Sequence, residues 1–162
     1  MNTERFLMIT SQFNEDITAN LTKGAKAALM AGGIREDAIT VVSVPGAFEL
    51  PSAAAKAAAM GRWQAIICLG CLIQGESDHY HYIANAVAKG LTSVGIQYKL
   101  PVIFGVLTTH NKEQALARSA LEDNTSSKKR DGKVVVTNKG QQAAVAALTM
   151  LKTFRELEGL AI

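Results

Sequence analysis

Residues 65–90 read AIICLGCLIQGESDHYHYIANAVAKG, and their reading decides the fold. The opening AIICLGCLI (65–73) is apolar without a polar interruption. QGESD (74–78) then sets a glycine among polar residues, and HYIANAVAKG brings apolar positions back at helical spacing. A short apolar run bounded by turn residues predicts a strand buried on both faces, as in a parallel sheet. The segment is a strand, a loop and a helix in succession.

The same succession recurs along the chain. FLMIT (6–10) leads through SQFNED into ITANLTKGAKAALMAGG, which stops at Gly32-Gly33. AITVVSV (38–44) leads through Pro45-Gly46 into FELPSAAAKAAAMG, and PVIFGVLTT (101–109) leads through HN into KEQALARSALED. A last helix, roughly 140–158, carries AAVAALTMLKTF. Apolar strands alternating with helices predict an α/β three-layer sandwich, a central four-stranded parallel sheet with helices on both faces. Right-handed crossovers make it doubly wound. At 162 residues the chain reads as one domain, 1–162, long enough to bury a single core.

Composition removes several function classes. No apolar stretch has the length of a membrane span, and MNTERFLMIT lacks the parts of a signal peptide, so a cytoplasmic protein with no membrane partner is expected. Cys68 and Cys71 have the C-x-x-C spacing of a redox pair or half a zinc site. Both lie inside an apolar run with no second pair, which favours buried thiols in a reducing compartment. The net charge is +3, and KKRDGKVVVTNK (128–139) holds five basic residues against one acidic. With no aromatics interleaved for base stacking, this run reads as a solvated loop and not as a nucleic-acid surface.

Sheets of this kind bind ligands beyond the carboxyl ends of their strands. There stand Phe13-Asn14, Pro45 to Glu49, Gln74 to His79 and Thr108 to Asn111. In the third loop Gly75 permits a tight turn, and Ser77 or Asp78 can cap the helix that follows. A helix N-terminus favours an anion, phosphate above all. His79 would stand beside that anion, and His81 about 200° further round the helix. Two imidazoles facing nearly opposite ways do not share a metal, so none is expected. Arg118, in the fourth helix, offers a bidentate guanidinium to phosphate. Glu49 is a carboxylate between Phe48 and Leu50, placed to accept hydroxyls or to favour a helix dipole. Phe13 is either a core residue or a stacking plate. Spacing alone reaches a site for a phosphorylated small molecule.

In order, SQFNEDIT, VPGAFELP, LGCLIQGESDHYHYIANAVAKG, PVIFGVLTT, EQALAR and NKG resemble the 6,7-dimethyl-8-ribityllumazine synthase family of riboflavin biosynthesis. The resemblance implies a flavodoxin-like form of the sandwich. It also implies a transferase that joins 5-amino-6-(D-ribitylamino)uracil to 3,4-dihydroxy-2-butanone 4-phosphate, releasing phosphate and water, with no metal or organic cofactor. On that resemblance Phe13 would stack on the pyrimidine, and Ala47, Phe48 and Glu49 would bind the ribityl chain and uracil edge. Cys71, Leu72 and Ile73 would present backbone groups to the pyrimidine. Glu76 and Ser77 would hold the phosphate with Arg118, and His79 would move protons. Phe104 would reach into a neighbouring subunit's site, and Lys139 would approach the ribityl or phosphate region.

The chain departs from the family between Arg118 and the NKG block, where a basic insertion at about 121–136 replaces a short Gly-rich link. Family members form pentamers, and some pack pentamers into hollow shells. A bulky basic insertion at a pentamer–pentamer contact is expected to stop assembly at a homopentamer or a dimer of pentamers. Two other readings stand beside the enzyme. One is a non-catalytic flavin- or lumazine-binding or shell-forming relative, which would not need His79, Arg118, Phe13 and Glu49 together. The other is a flavodoxin-like electron carrier, disfavoured by the mild positive charge and by the missing Ser/Thr-rich loop after the first strand.

Overall fold

The fold is that of a computed structural model, which describes residues 4–121 and 138–160 together with the backbone of 129–130 and 133–134. Strands β1 (Phe6–Ser11), β2 (Ile39–Val44), β3 (Ala65–Ile73) and β4 (Val102–Thr109) form one parallel sheet in the order β2-β1-β3-β4. Helices α1 (Glu15–Ala31), α2 (Leu50–Ala58), α3 (His79–Tyr98), α4 (Lys112–Ser119) and α5 (Lys139–Leu160) connect and cover it. A two-stranded antiparallel pair, β5 (Lys129–Arg130) and β6 (Lys133–Val134), lies within the expected basic insertion. The rest of that insertion, beyond Leu121, lies outside the described residues.

Strand alternation splits the core into two layers. Phe6 and Met8 of β1, with Ile67 and Leu69 of β3, pack on one face against Ile17, Leu21 and Leu29 of α1 and Ala144 and Ala147 of α5. Leu7, Ile9, Ile66 and Cys68 pack on the other against Leu50 and Ala54 of α2 and Val87, Leu91 and Val94 of α3. Successive residues of one strand point to opposite faces, so a strand buried on both sides has to be apolar throughout. This is the expected flavodoxin-like α/β sandwich.

Local chemistry ends the elements where they end. Glu15 and Asp16 occupy the first turn of α1, where the dipole favours them. That helix stops at Gly32-Gly33, with Gly33 at φ 91°. Pro51 stands in the first turn of α2, and the Asn111 side chain caps α4 by accepting from the Gln114 N–H.

Two expectations change. The edge strand β2 is not covered on both faces: it pairs with β1 alone, and Val41 and Val42 are each 42 % exposed. Helix α4 ends at Ser119 and not near Asp123. The Ser119 carbonyl, which a longer helix would use, instead accepts from the Asn138 side chain at 2.8 Å. Among the described residues no helix is long and apolar enough to cross a membrane.

Candidate active site

The carboxyl ends of β1, β2 and β3 open into a cleft of about 760 Å³, a volume suited to a small organic molecule. Phe13 reaches it from the turn after β1, and Ala47, Phe48 and Glu49 from the turn after β2. Phe13 is 69 % exposed and Phe48 59 %, so both rings stand clear of the core. Glu49 is held: its Oε2 accepts from the Gly46 N–H at 2.9 Å. A carboxylate so placed keeps its other oxygen for hydroxyl donors.

Strand β3 supplies the floor. Its pairing with β1 ends at Leu69, whereas its pairing with β4 runs on to Ile73. Cys71, Leu72 and Ile73 overhang the end of β1 and line the cleft. On that overhanging edge the Cys71 carbonyl accepts from Asn14 Nδ2 at 3.0 Å. Asn14 is held at φ 60°, a conformation asparagine tolerates better than most residues.

The two histidines are unequal. His79 opens α3 and lines the cleft with Ser77, whereas His81 lies off it, edge-on to the Tyr80 ring at 5.1 Å. Of the two candidate caps, Asp78 occupies the N-cap without a side-chain bond, and Ser77 Oγ accepts from the His79 N–H at a long 3.4 Å. The first turn of α3 is therefore only weakly capped by side chains. Glu76 is exposed beside the cleft but does not line it. Tyr82 and Ile83 line it and were missed from sequence. Their signal was available, because positions three and four after His79 share its face of a helix.

Phe104, Arg118 and Lys139 come together elsewhere. They line a second groove, about 470 Å³, along the edge strand β4 between α4 and α5. Arg118 Nη1 donates to the Gln114 carbonyl at 3.2 Å and Lys139 Nζ to Gln142 Oε1 at 2.8 Å. Among the described residues no carboxylate lines this groove, and none lines both it and the cleft. Within one chain, then, Arg118 does not meet Ser77 or His79, and the phosphate-holding group expected from sequence is divided. His110, which sequence reasoning passed over, joins the ends of β3 and β4: its Nδ1 lies 2.6 Å from Gln74 Oε1.

Burial pushes the Cys68 thiol up to about 12. Burial, with the nearby charge of Asp16, pushes Cys71 up to about 11. Neither thiol is a nucleophile near neutral pH. Among the described residues no three His, Cys, Asp or Glu side chains are grouped as metal ligands.

The fold is that of a flavodoxin-like α/β protein, with its cleft at the carboxyl edge of the sheet, where such sheets bind ligands. Within that class, the model of the 6,7-dimethyl-8-ribityllumazine synthase family matches residues 3–155. The chain belongs to this family of riboflavin-biosynthesis enzymes.

Proposed function

We propose that the chain is an active 6,7-dimethyl-8-ribityllumazine synthase whose sites form between two copies of itself. On this reading it condenses 5-amino-6-(D-ribitylamino)uracil with 3,4-dihydroxy-2-butanone 4-phosphate and releases phosphate and water. The observation that carries the proposal is the division of charge. Among the described residues, the cleft holds an imidazole and a carboxylate but no lysine or arginine, and the groove on the opposite side of β3 holds two cations and no carboxylate. A phosphorylated substrate needs both halves.

The roles are those the family resemblance implies, and the placement of the residues supports them. Phe13 stacks on the pyrimidine. Glu49, fixed by Gly46, accepts ribityl hydroxyls with its free oxygen, and the backbone of Ala47 and Phe48 frames the chain. The overhang Cys71–Ile73 offers backbone groups to the uracil edge. Arg118 and Lys139 of the adjoining copy bring fixed positive charge to the phosphate beside Ser77, Glu76 and the start of α3. Phe104 from the same groove closes the site against water.

The substrate amine attacks the ketone carbonyl, and loss of water gives an imine. Removal of a proton next to the imine carbon drives out phosphate, and ring closure expels a second water. His79 accepts and returns these protons, the general acid–base role that histidine takes most often. Arg118 and Lys139 stabilise the charge growing on the departing phosphate. Holding two substrates in one pocket supplies much of the remaining acceleration.

The cleft opens over β2, β1 and β3, and the groove follows β4, the other edge. Joining one edge to the other is a head-to-tail contact, which generates a ring when its rotation closes. A homopentamer or a dimer of pentamers fits that contact and the family. Two thiols in place of a disulfide suit the reducing cytoplasm. Mixing both substrates with purified protein and following the lumazine absorbance tests the activity. Authentic substrates that give no product above the uncatalysed rate would leave a non-catalytic binding relative instead.

A further inference from the structure

We infer that Asn138 is a positioning residue that sets the phosphate-binding pair Arg118 and Lys139 with a single buried amide, an inference that rests on the function proposed above. Asn138 is 1 % exposed. Its Nδ2 donates to the Ser119 carbonyl at 2.8 Å and to the Asn20 carbonyl at 3.2 Å. Its Oδ1 accepts from the Gln141 N–H at 3.0 Å and so caps α5. Both amide protons and the amide oxygen are thus in use, and the three partners lie on α4, α1 and α5.

The position of this amide matters more than its count of bonds. Ser119 directly follows Arg118, and Lys139 directly follows Asn138. The chain leaves the groove after one cation and returns to it with the other, and one side chain ties the two ends together across the insertion. Among the described residues no carboxylate fixes either cation: Arg118 rests on the Gln114 carbonyl and Lys139 on Gln142. Their separation therefore depends on the backbone that carries them.

Steric contacts lock the amide in place. A Cβ added at Gly24 of α1 would stand 2.3 Å from Asn138 Oδ1, and one added at Gly140 would stand 2.0 Å from the Leu21 carbonyl oxygen. Lys139 is thus flanked by two residues seated directly on α1. Guanidinium and ammonium groups on long side chains bind one phosphate well only when their origins are held at the right spacing.

Asn138→Ala removes the tie, and Gly24→Ala displaces it while leaving Asn138 in the chain. Each is expected to raise KM for the butanone phosphate about ten-fold or more, with KM for the pyrimidine and the assembly size unchanged. In the double variant the truncated side chain leaves room for the new Cβ. The double is then expected to match Asn138→Ala alone, a non-additivity specific to this contact. Unchanged KM for the phosphate substrate in both single variants would overturn the inference, as would parallel loss of both KM values with loss of assembly. If Asn138→Ala does not fold, Gly24→Ala decides by the same criteria. A wild-type protein that makes no lumazine refutes the proposed function, and the inference is then read with inorganic phosphate by calorimetry. Weaker phosphate binding in Asn138→Ala than in wild type upholds it; equal binding, or none to the wild type, overturns it.

Discussion

Dividing the site between two chains makes a quantitative prediction for mixed oligomers. His79→Ala damages the cleft and leaves the groove intact, and Arg118→Ala does the reverse, because no residue lines both. Each variant alone is expected to be strongly impaired. In oligomers assembled from equal amounts of the two, a site is whole when its cleft comes from an Arg118→Ala chain and its groove from a His79→Ala chain. Each condition is met by half the chains, so about one quarter of the sites are wild type when every contact is head-to-tail. Co-refolding differently tagged variants, purifying the mixed oligomer through both tags and measuring lumazine formation reads this fraction. A mixed oligomer no more active than the average of its parents would refute the division, since a site within one chain leaves every chain defective.

Three further outcomes follow from single positions. His79→Gln is expected to lower kcat by about a hundred-fold or more, the size of a general acid–base contribution, because glutamine neither takes up nor releases a proton; steady-state kinetics with unchanged product affinity checks it. Gly140→Ala drives a methyl group to 2.0 Å from the Leu21 carbonyl oxygen. The resulting strain of about 1–3 kcal/mol outweighs the helix-propensity gain of alanine, so the thermal midpoint is expected to fall and a rise would contradict the packing. Cys71 titrates at about 11 against 9.0 for an ordinary thiol. At pH 8 it therefore holds about a hundred-fold less thiolate. Native protein is expected to resist alkylation near neutral pH and to gain reactivity as pH rises toward 11, and rapid labelling at pH 7 would show that the thiols are not buried.

Their apolar runs made three strands legible: AIICLGCLI, FLMIT and PVIFGVLTT appear as β3, β1 and β4 within a residue of their expected limits, the first two because both faces are buried and β4 although it is an edge. The exposure of β2 was not legible. Val41 and Val42 are as apolar as the residues of β3, and only the strand order places them on an edge. The end of α4 was hidden for a related reason. RSALED continues a good helical pattern, and what stops the helix is a side chain 19 residues away. Spacing singled out His79, Glu49 and Arg118 but not their placement in two separate pockets, because distance along a chain says nothing about which edge of a sheet a loop occupies.

That division gives physical meaning to features that look unfavourable in one chain. Phe13 and Phe48 stand largely in water at the cleft, Phe104 is 43 % exposed on β4, and β2 leaves valines uncovered. Exposed apolar surface of this kind marks a site of association. Here it borders both halves of the candidate site, so the contact proposed above would cover it and complete the charge balance. Dehydration matters to the chemistry as well as to the contact. Imine formation expels water, and the attraction of Arg118 and Lys139 for a phosphate strengthens as water is removed around it. On the proposed function, apolar residues at the rim and cations in the groove belong to one device: the association that hides the rings would also bring fixed positive charge to the side of the cleft that carries His79.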